Sequence, residues 1–280
     1  MNNLLSIDFE AWFHFLGDPG APQRKTWATL DTRLERNTSI LLETIEGVQA
    51  TFFVLGWVAK RHPDLIKQIS NRGHEIACHG YYHELIFELG PEKFRDDIKK
   101  AKNLLEDLTG KSVDGYRAPG FSIRRTEPWA LEIICEEGFL YDSSIFPALR
   151  TMGGIDGFER FPQKLKLKAG GLFELPVSTT LLWGKPIAFC GGGFFRFCPY
   201  WFMKKEISKL NSNGVTGVVY VHPQDFDNDQ PRMNLTWGHY FMYYYGLKKS
   251  LNKLEKLLKE FKWQSFKSYI KSSFGDPINC

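Results

Sequence analysis

The chain is poor in cysteine, and its cysteines follow no pattern. The five (Cys78, Cys135, Cys190, Cys198 and Cys280) form an odd set without a Cys-x-x-Cys pair. That excludes a thiol redox motif and fits a reduced, cytoplasmic chain better than a disulfide-stapled one. No stretch approaches the roughly 18 apolar residues that a membrane helix needs. The segment Met1–Asp8 has no basic leader and only a short apolar run, so no signal peptide is expected. An excess of one charge is also missing. The 36 basic and 32 acidic residues leave a net +4, too little to point to nucleic acid. No tract of disordered composition and no internal repeat divides the chain, so a single domain over 1–280 is expected.

What is present is an ordinary globular composition, 280 residues and 43% hydrophobic, long enough for a sizeable core. Aromatic residues reach 15%; their faces suit sugar rings, and they also fill cores. Short apolar runs alternate with helical patterns. Leu4–Ile7, Ala50–Leu55, Glu75–Cys78, Gly115–Arg117 and a piece starting at Tyr141 read as strands. Between them Thr32–Glu46, Asp64–Asn71, Pro91–Leu108 and Thr126–Glu137 read as helices, several of them closed by glycine. The stretch 147–199, rich in Gly and Pro, reads as an insertion of loops and hairpins around a strand at Leu172–Val177. Alternation then resumes with helix Tyr200–Asn211, strand Gly217–Val221, helix Leu247–Phe261 and strand Trp263–Phe266. This is the pattern of an α/β fold, a parallel sheet or barrel. The lysines at 248, 249, 253, 256, 259, 262, 267 and 271 read as the solvated face of an amphipathic helix and of the short segment after it. Peripheral docking on an anionic inner membrane face is the second reading.

Polar residues gather where the strands end. Asp8 and Glu10 follow the first strand and, two apart in extended chain, point to the same side. His79 and His83 follow a later strand, with the spacing that one turn of helix would use to bring two imidazoles together on a divalent metal. Arg117 ends another strand, Asp142 sits beside a fourth, and His222 ends Val218-Val219-Tyr220-Val221. In parallel barrels function sits at such ends.

These residues come in the order of five known motifs, and the chain resembles the polysaccharide deacetylase family, also called NodB-homology or carbohydrate esterase 4. Ser6-Ile7-Asp8-Phe9-Glu10 resembles the first motif, usually Thr-Phe-Asp-Asp. His79-Gly80-Tyr81-Tyr82-His83 resembles the second, Arg117-Ala118-Pro119-Gly120 the third, Tyr141-Asp142-Ser143-Ser144 the fourth and Val219-Tyr220-Val221-His222 the fifth. The likeness covers about residues 4–270. Gly191-Gly192-Gly193-Phe194-Phe195-Arg196 and His222-Pro223-Gln224-Asp225-Phe226-Asp227 resemble the subgroup from exopolysaccharide and surface-glycan gene clusters.

The resemblance implies a deformed (β/α) barrel of about seven parallel strands and a divalent metal, commonly zinc, held by a carboxylate and two histidines. The usual second Asp is replaced by Phe9, so Glu10 becomes the ligand carboxylate beside His79 and His83, provided that its longer side chain reaches. Asp8 would be the base that takes a proton from the attacking water. Backbone N–H groups near 119–121 would help to hold the oxyanion. His222 would protonate the leaving nitrogen, Asp142 would orient it, and Arg117 would pair with Asp8 and favour its charged form. The expected reaction is hydrolysis of an N-acetyl group on an amino sugar, in a glycan or a lipid- or nucleotide-linked precursor in the bacterial cytoplasm. A deformylase, a cyclic imide or ureide hydrolase, and an inactive glycan-binding barrel remain alternatives. His14, His62 and His74 read as structural, Cys78 as a buried thiol, and His239 with Trp237 as a candidate groove lining. The oligomeric state is left open.

Overall fold

The computed structural model describes residues 1–148 and 150–275, so Cys280 and Leu149 lie outside the described residues. Eleven strands are present among these. They are β1 Asn2–Phe9, β2 Thr51–Val54, β3 Glu75–Cys78, β4 Gly115–Tyr116, β5 Tyr141–Asp142, β6 Gln163–Lys166, β7 Gly171–Glu174, β8 Thr179–Leu182, β9 Lys185–Ala188, β10 Val218–Val221 and β11 Lys262–Gln264.

Nine of them form one sheet in the order β10-β1-β2-β3-β4-β5-β7-β6, with β11 also paired to β1. Every pairing is parallel except β6 with β7. Strand β1 is buried along seven of its eight residues because helices and neighbouring strands cover both of its faces, as for parallel strands in general. Its polar members are satisfied: Ser6 Oγ donates to the Val219 carbonyl at 3.2 Å, and Asn3 bonds Asn211. The sheet curls toward closure without a ladder between β7 and β10. Ser178 N–H donates to the Val218 carbonyl at 3.2 Å, and Tyr220 N–H to Cys190 at 3.3 Å, across that gap. The result is a deformed (β/α) barrel, as expected.

The stretch 147–199 is more than an insertion. Strand β7 pairs with β5 in register Tyr141↔Phe173 and Asp142↔Glu174 and so belongs to the barrel wall. β6 folds back on it, β8 and β9 make a separate hairpin, and a helix over Gly192–Phe197 follows. That helix begins where glycine is needed. A Cβ on Gly191 would sit 1.8 Å from the Tyr220 ring, and one on Gly192 3.2 Å from His222. The backbone therefore lies directly against the residues that end β10.

The C-terminal lysines do not share one environment. In helix Leu247–Glu260, Lys248, Lys249 and Lys256 are exposed as expected. Lys253 is buried, and its ammonium donates to the carbonyls of Phe195, Arg196 and Cys198 at 2.7–3.1 Å. It thus caps the end of helix Gly192–Phe197 with a positive charge where the helix dipole favours one.

Candidate active site

The C-terminal ends of β1, β3, β4 and β10 meet at one mouth of the barrel. Asp8 is the penultimate residue of β1, and Glu10 follows that strand in a tight turn, its N–H donating to the Asp8 carbonyl at 3.1 Å. Both carboxylates line the same cleft, about 170 Å³ in volume, with His79, His83 and His222. Arg117 stands behind Asp8. It is fully buried and donates to Asp8 Oδ1 at 2.7 Å, to Ser6 Oγ at 2.8 Å and to Ser143 Oγ at 2.9 Å. Its guanidinium lies 4.0 Å from the centre of the Phe53 ring. Asp8 Oδ1 is thereby occupied, and Oδ2 faces His222 Nε2 at 3.9 Å.

The two histidines of the second motif converge without a helix. Gly80 (φ +73°) and His83 (φ +58°) are both left-handed, so the chain after β3 is a loop. The carboxylate of Asp97 holds the loop by accepting from Tyr81 N–H at 2.7 Å, and a Cβ on Gly80 would come within 2.9 Å of it. The helix reading of this spacing is thus corrected, although the side chains still meet.

Asp142 does not reach His222. It is buried on β5, where it accepts from Ser144 N–H at 3.0 Å and from Ser144 Oγ, and it shares a buried pair with Glu174. Burial raises both carboxyls, most strongly that of Glu174. The carboxylate that orients His222 is Asp225, at 3.1 Å from Nδ1 and one 3-10 turn downstream. Asp225 is itself ion-paired with buried Arg196. A carboxylate on Nδ1 selects the tautomer whose Nε2 lone pair faces the cleft. Burial pushes His222 down to about 4, so it is neutral at ordinary pH.

His14, read as structural, stands at the edge of the site. It is 2% exposed and lines the cleft; its Nδ1 accepts from Ala11 N–H at 2.9 Å, while Nε2 is buried without a hydrogen-bond partner. The other residues fall outside. His62 pairs with Glu35, His74 accepts from Ala50 N–H, and His239 is tied to Asp18 at 2.7 Å rather than lining the cleft with Trp237. Cys78 is buried, and burial raises its thiol. Of the turn 119–121, Gly120 and Phe121 line the cleft, but Phe121 N–H is taken up by the Ala118 carbonyl at 3.0 Å.

Residues 19–132 match the family model described as polysaccharide deacetylase. That stretch is similar to the polysaccharide deacetylases. A second model, described as a domain of unknown function (DUF3473), matches residues 143–271. The deacetylase match contains His79, His83 and Arg117, and the second contains Arg196, His222 and Asp225. Asp8 and Glu10 precede both. Among curated relatives, a peptidoglycan deacetylase-like protein of Gibberella zeae is 32% identical over 51% of this chain and 43% of its own length. A peptidoglycan deacetylase of Helicobacter pylori is 33% identical over 34% of this chain and 32% of its own. The chain therefore spans less than half the length of these relatives. Solved structures share the fold across 97% of this chain. One is a putative polysaccharide deacetylase of Mycobacterium smegmatis (22% identity, TM-score 0.63, 90% of that chain); another is the Puue allantoinase (17%, 0.63, 92%).

The resemblance implies a divalent metal, and the residues present fit one. Ligand atoms of Glu10, His79 and His83 all lie within 4.8 Å of one another. Glu10 Oε2 is 2.7 Å from His83 Nε2 yet makes no hydrogen bond; it is a buried oxygen facing a ring nitrogen with nothing suited between them. His79 Nδ1 donates to the Arg117 carbonyl at 2.7 Å, which frees Nε2 as a donor atom. Burial, with His83 beside it, pushes His79 down to about 3, so its ring is neutral as a ligand must be. The Glu10 carboxylate thus stands beside the two histidines, although it follows one residue beyond the usual position.

In this site Asp225→Asn should leave Asp8 and Glu10 in place while removing the fixed tautomer of His222. We expect kcat on an N-acetylated oligosaccharide to fall about 100-fold with KM little changed, read from initial rates of amine release. A kcat within twofold of wild type would show that Asp225 does not orient the histidine.

Proposed function

We propose that the protein removes an N-acetyl group from an amino sugar by hydrolysis, with zinc as the bound cation. The convergence of Asp8, Glu10, His79, His83 and His222 on one cleft carries this reading. The deacetylases named among its relatives support it. The fold alone does not choose the substrate, because a structure described as an allantoinase shares it equally.

A divalent cation held by Glu10, His79 and His83 supplies Lewis acidity toward the acyl oxygen and the attacking water. Asp8 takes a proton from that water through Oδ2, the oxygen that Arg117 leaves free. As the C–O bond forms and the C–N bond breaks, the leaving nitrogen needs a proton. His222 is neutral at rest, so it acts as an acid only after taking one up at Nε2, which lies across the cleft from Asp8. Asp225 and Arg196 hold the ring while the proton passes. A glycan or lipid- or nucleotide-linked precursor as substrate, and a cytoplasmic site of action, belong to the same proposal. The four described cysteines are unpaired, which suits a reducing compartment.

The test is release of acetate and free amine from chitin oligosaccharides by the full chain. Both should appear in equal amounts, stop after removal of metal by a chelator and return with zinc. Zinc-loaded protein that releases neither from any N-acetylated glycan would overturn the proposal.

A further inference from the structure

A second concavity, about 960 Å³ and much larger than the catalytic cleft, lies between helices Gly192–Phe197 and Leu247–Glu260. Six cations line it: Arg196, Arg232, Lys248, Lys249, Lys253 and Lys256. Among the described residues lining it there is no Asp or Glu. Arg196 and Lys253 are committed, to Asp225 and to backbone carbonyls. Arg232, Lys248, Lys249 and Lys256 are exposed and form no ion pair among the described residues. In a chain with nearly balanced charge, an acid-free basin of this kind is a local choice and not a consequence of composition.

Local helix chemistry sharpens the point. Helix Leu247–Glu260 starts at Gly246 with no side-chain cap and no acid in its first turn; it carries Lys248 and Lys249 there instead. Cations at a helix N-terminus oppose the dipole. Two of them at an uncapped end, both facing the basin, make sense when an anion completes the site. Beside the basin stands an exposed aromatic ridge. Trp237 stacks on Phe241 (8° between planes), and Phe241 and Phe197 both pack against Tyr245. Trp237 is 83% exposed. Ring faces open to solvent suit the apolar faces of sugars.

The basin and the catalytic cleft share a wall, since Arg196 lines both. The mouth of the cleft carries a further exposed cation, Arg150, held over the Phe146 ring at 4.6 Å. We propose that the substrate is an acidic glycan and that the basin between Arg232 and Lys256 is its anion-binding subsite, holding a carboxylate- or phosphate-bearing sugar while a neighbouring N-acetyl group occupies the cleft. The proposal rests on the N-deacetylase reading. A concave basin with an aromatic rim suits a discrete oligosaccharide better than a flat bilayer.

The experiment measures equilibrium binding to the full chain, with chelator present so that nothing turns over. The probes are two N-acetylated oligosaccharides: a hyaluronan hexasaccharide, which carries uronates, and chitohexaose, which is neutral. At about 50 mM salt the anionic probe should bind about tenfold tighter, and about 0.5 M salt should remove the difference. The Lys248→Gln/Lys249→Gln variant changes two exposed side chains, so it should keep its Tm and its affinity for chitohexaose while losing the tenfold preference. Equal affinity for the two probes, no binding of either, or a preference that survives in the variant would overturn the proposal. Sedimentation with phosphatidylglycerol vesicles and no preference between the probes would assign the surface to a bilayer instead. A protein that shows the preference but releases no acetate when zinc-loaded would refute the deacetylase reading and keep the subsite; release without preference would do the reverse.

Discussion

Asp8→Asn is expected to lower kcat for acetate release about 1,000-fold, the loss typical of removing a positioned general base. The amide oxygen can still accept from Arg117, so the barrel should fold and bind glycan as before. Asp8 does not belong to the candidate ligand trio, so the content of bound divalent metal should match that of the wild type by elemental analysis. That combination separates a base from a ligand. Loss of metal together with activity would mean that Asp8 ligates, and a kcat within tenfold of wild type would place the base elsewhere, with His222, 3.9 Å from Asp8, as the candidate.

Arg117→Met should be the most destabilising single change in the site. Arg117 is wholly buried, and its guanidinium holds Asp8, Ser6 and Ser143. Methionine fills much of the space but leaves Asp8, itself 2% exposed, as a buried charge without its partner. Breaking such a pair costs about 3–5 kcal/mol, measurable as a lower urea midpoint at unchanged slope. The double variant Arg117→Met/Asp8→Asn removes both charges and should recover part of the loss. If the double variant is less stable by the sum of the two single effects, the ion pair is not what holds this region together.

Much of this was legible along the chain because strand ends announce themselves. Asp8, Glu10, His79, His83, Arg117 and His222 each follow or end a short apolar run, and the barrel brings such ends together. The helices with an apolar stripe, such as Leu34–Thr44 and Pro63–Asn71, fall close to where periodicity puts them. Helix Trp237–Tyr244 escaped because it is only eight residues long and buries only Tyr243, so no core-facing stripe marks it. Helix Gly192–Phe197 escaped because its glycines read as loop, although they are there to let backbone lie on Tyr220 and His222. The partner of His222 was misassigned for a different reason. Asp142 stands in a motif and looked available, but its own serine and Glu174 consume it. Asp225, three residues from His222, needed only the 3-10 turn that Pro223 starts. The left-handed His83 is invisible to any spacing rule, since the same four-residue interval serves a helix or a loop.

The buried ammonium of Lys253 has a consequence for the reaction. It ties helix Leu247–Glu260 to the last carbonyls of the helix that carries Arg196, and Arg196 in turn grips Asp225, which grips His222. His222, the proposed proton-transfer group, is thus the far end of a tether anchored in the C-terminal part of the chain. A ligand that pulls on that helix from outside would be felt as tension at the histidine, without touching the cleft at all.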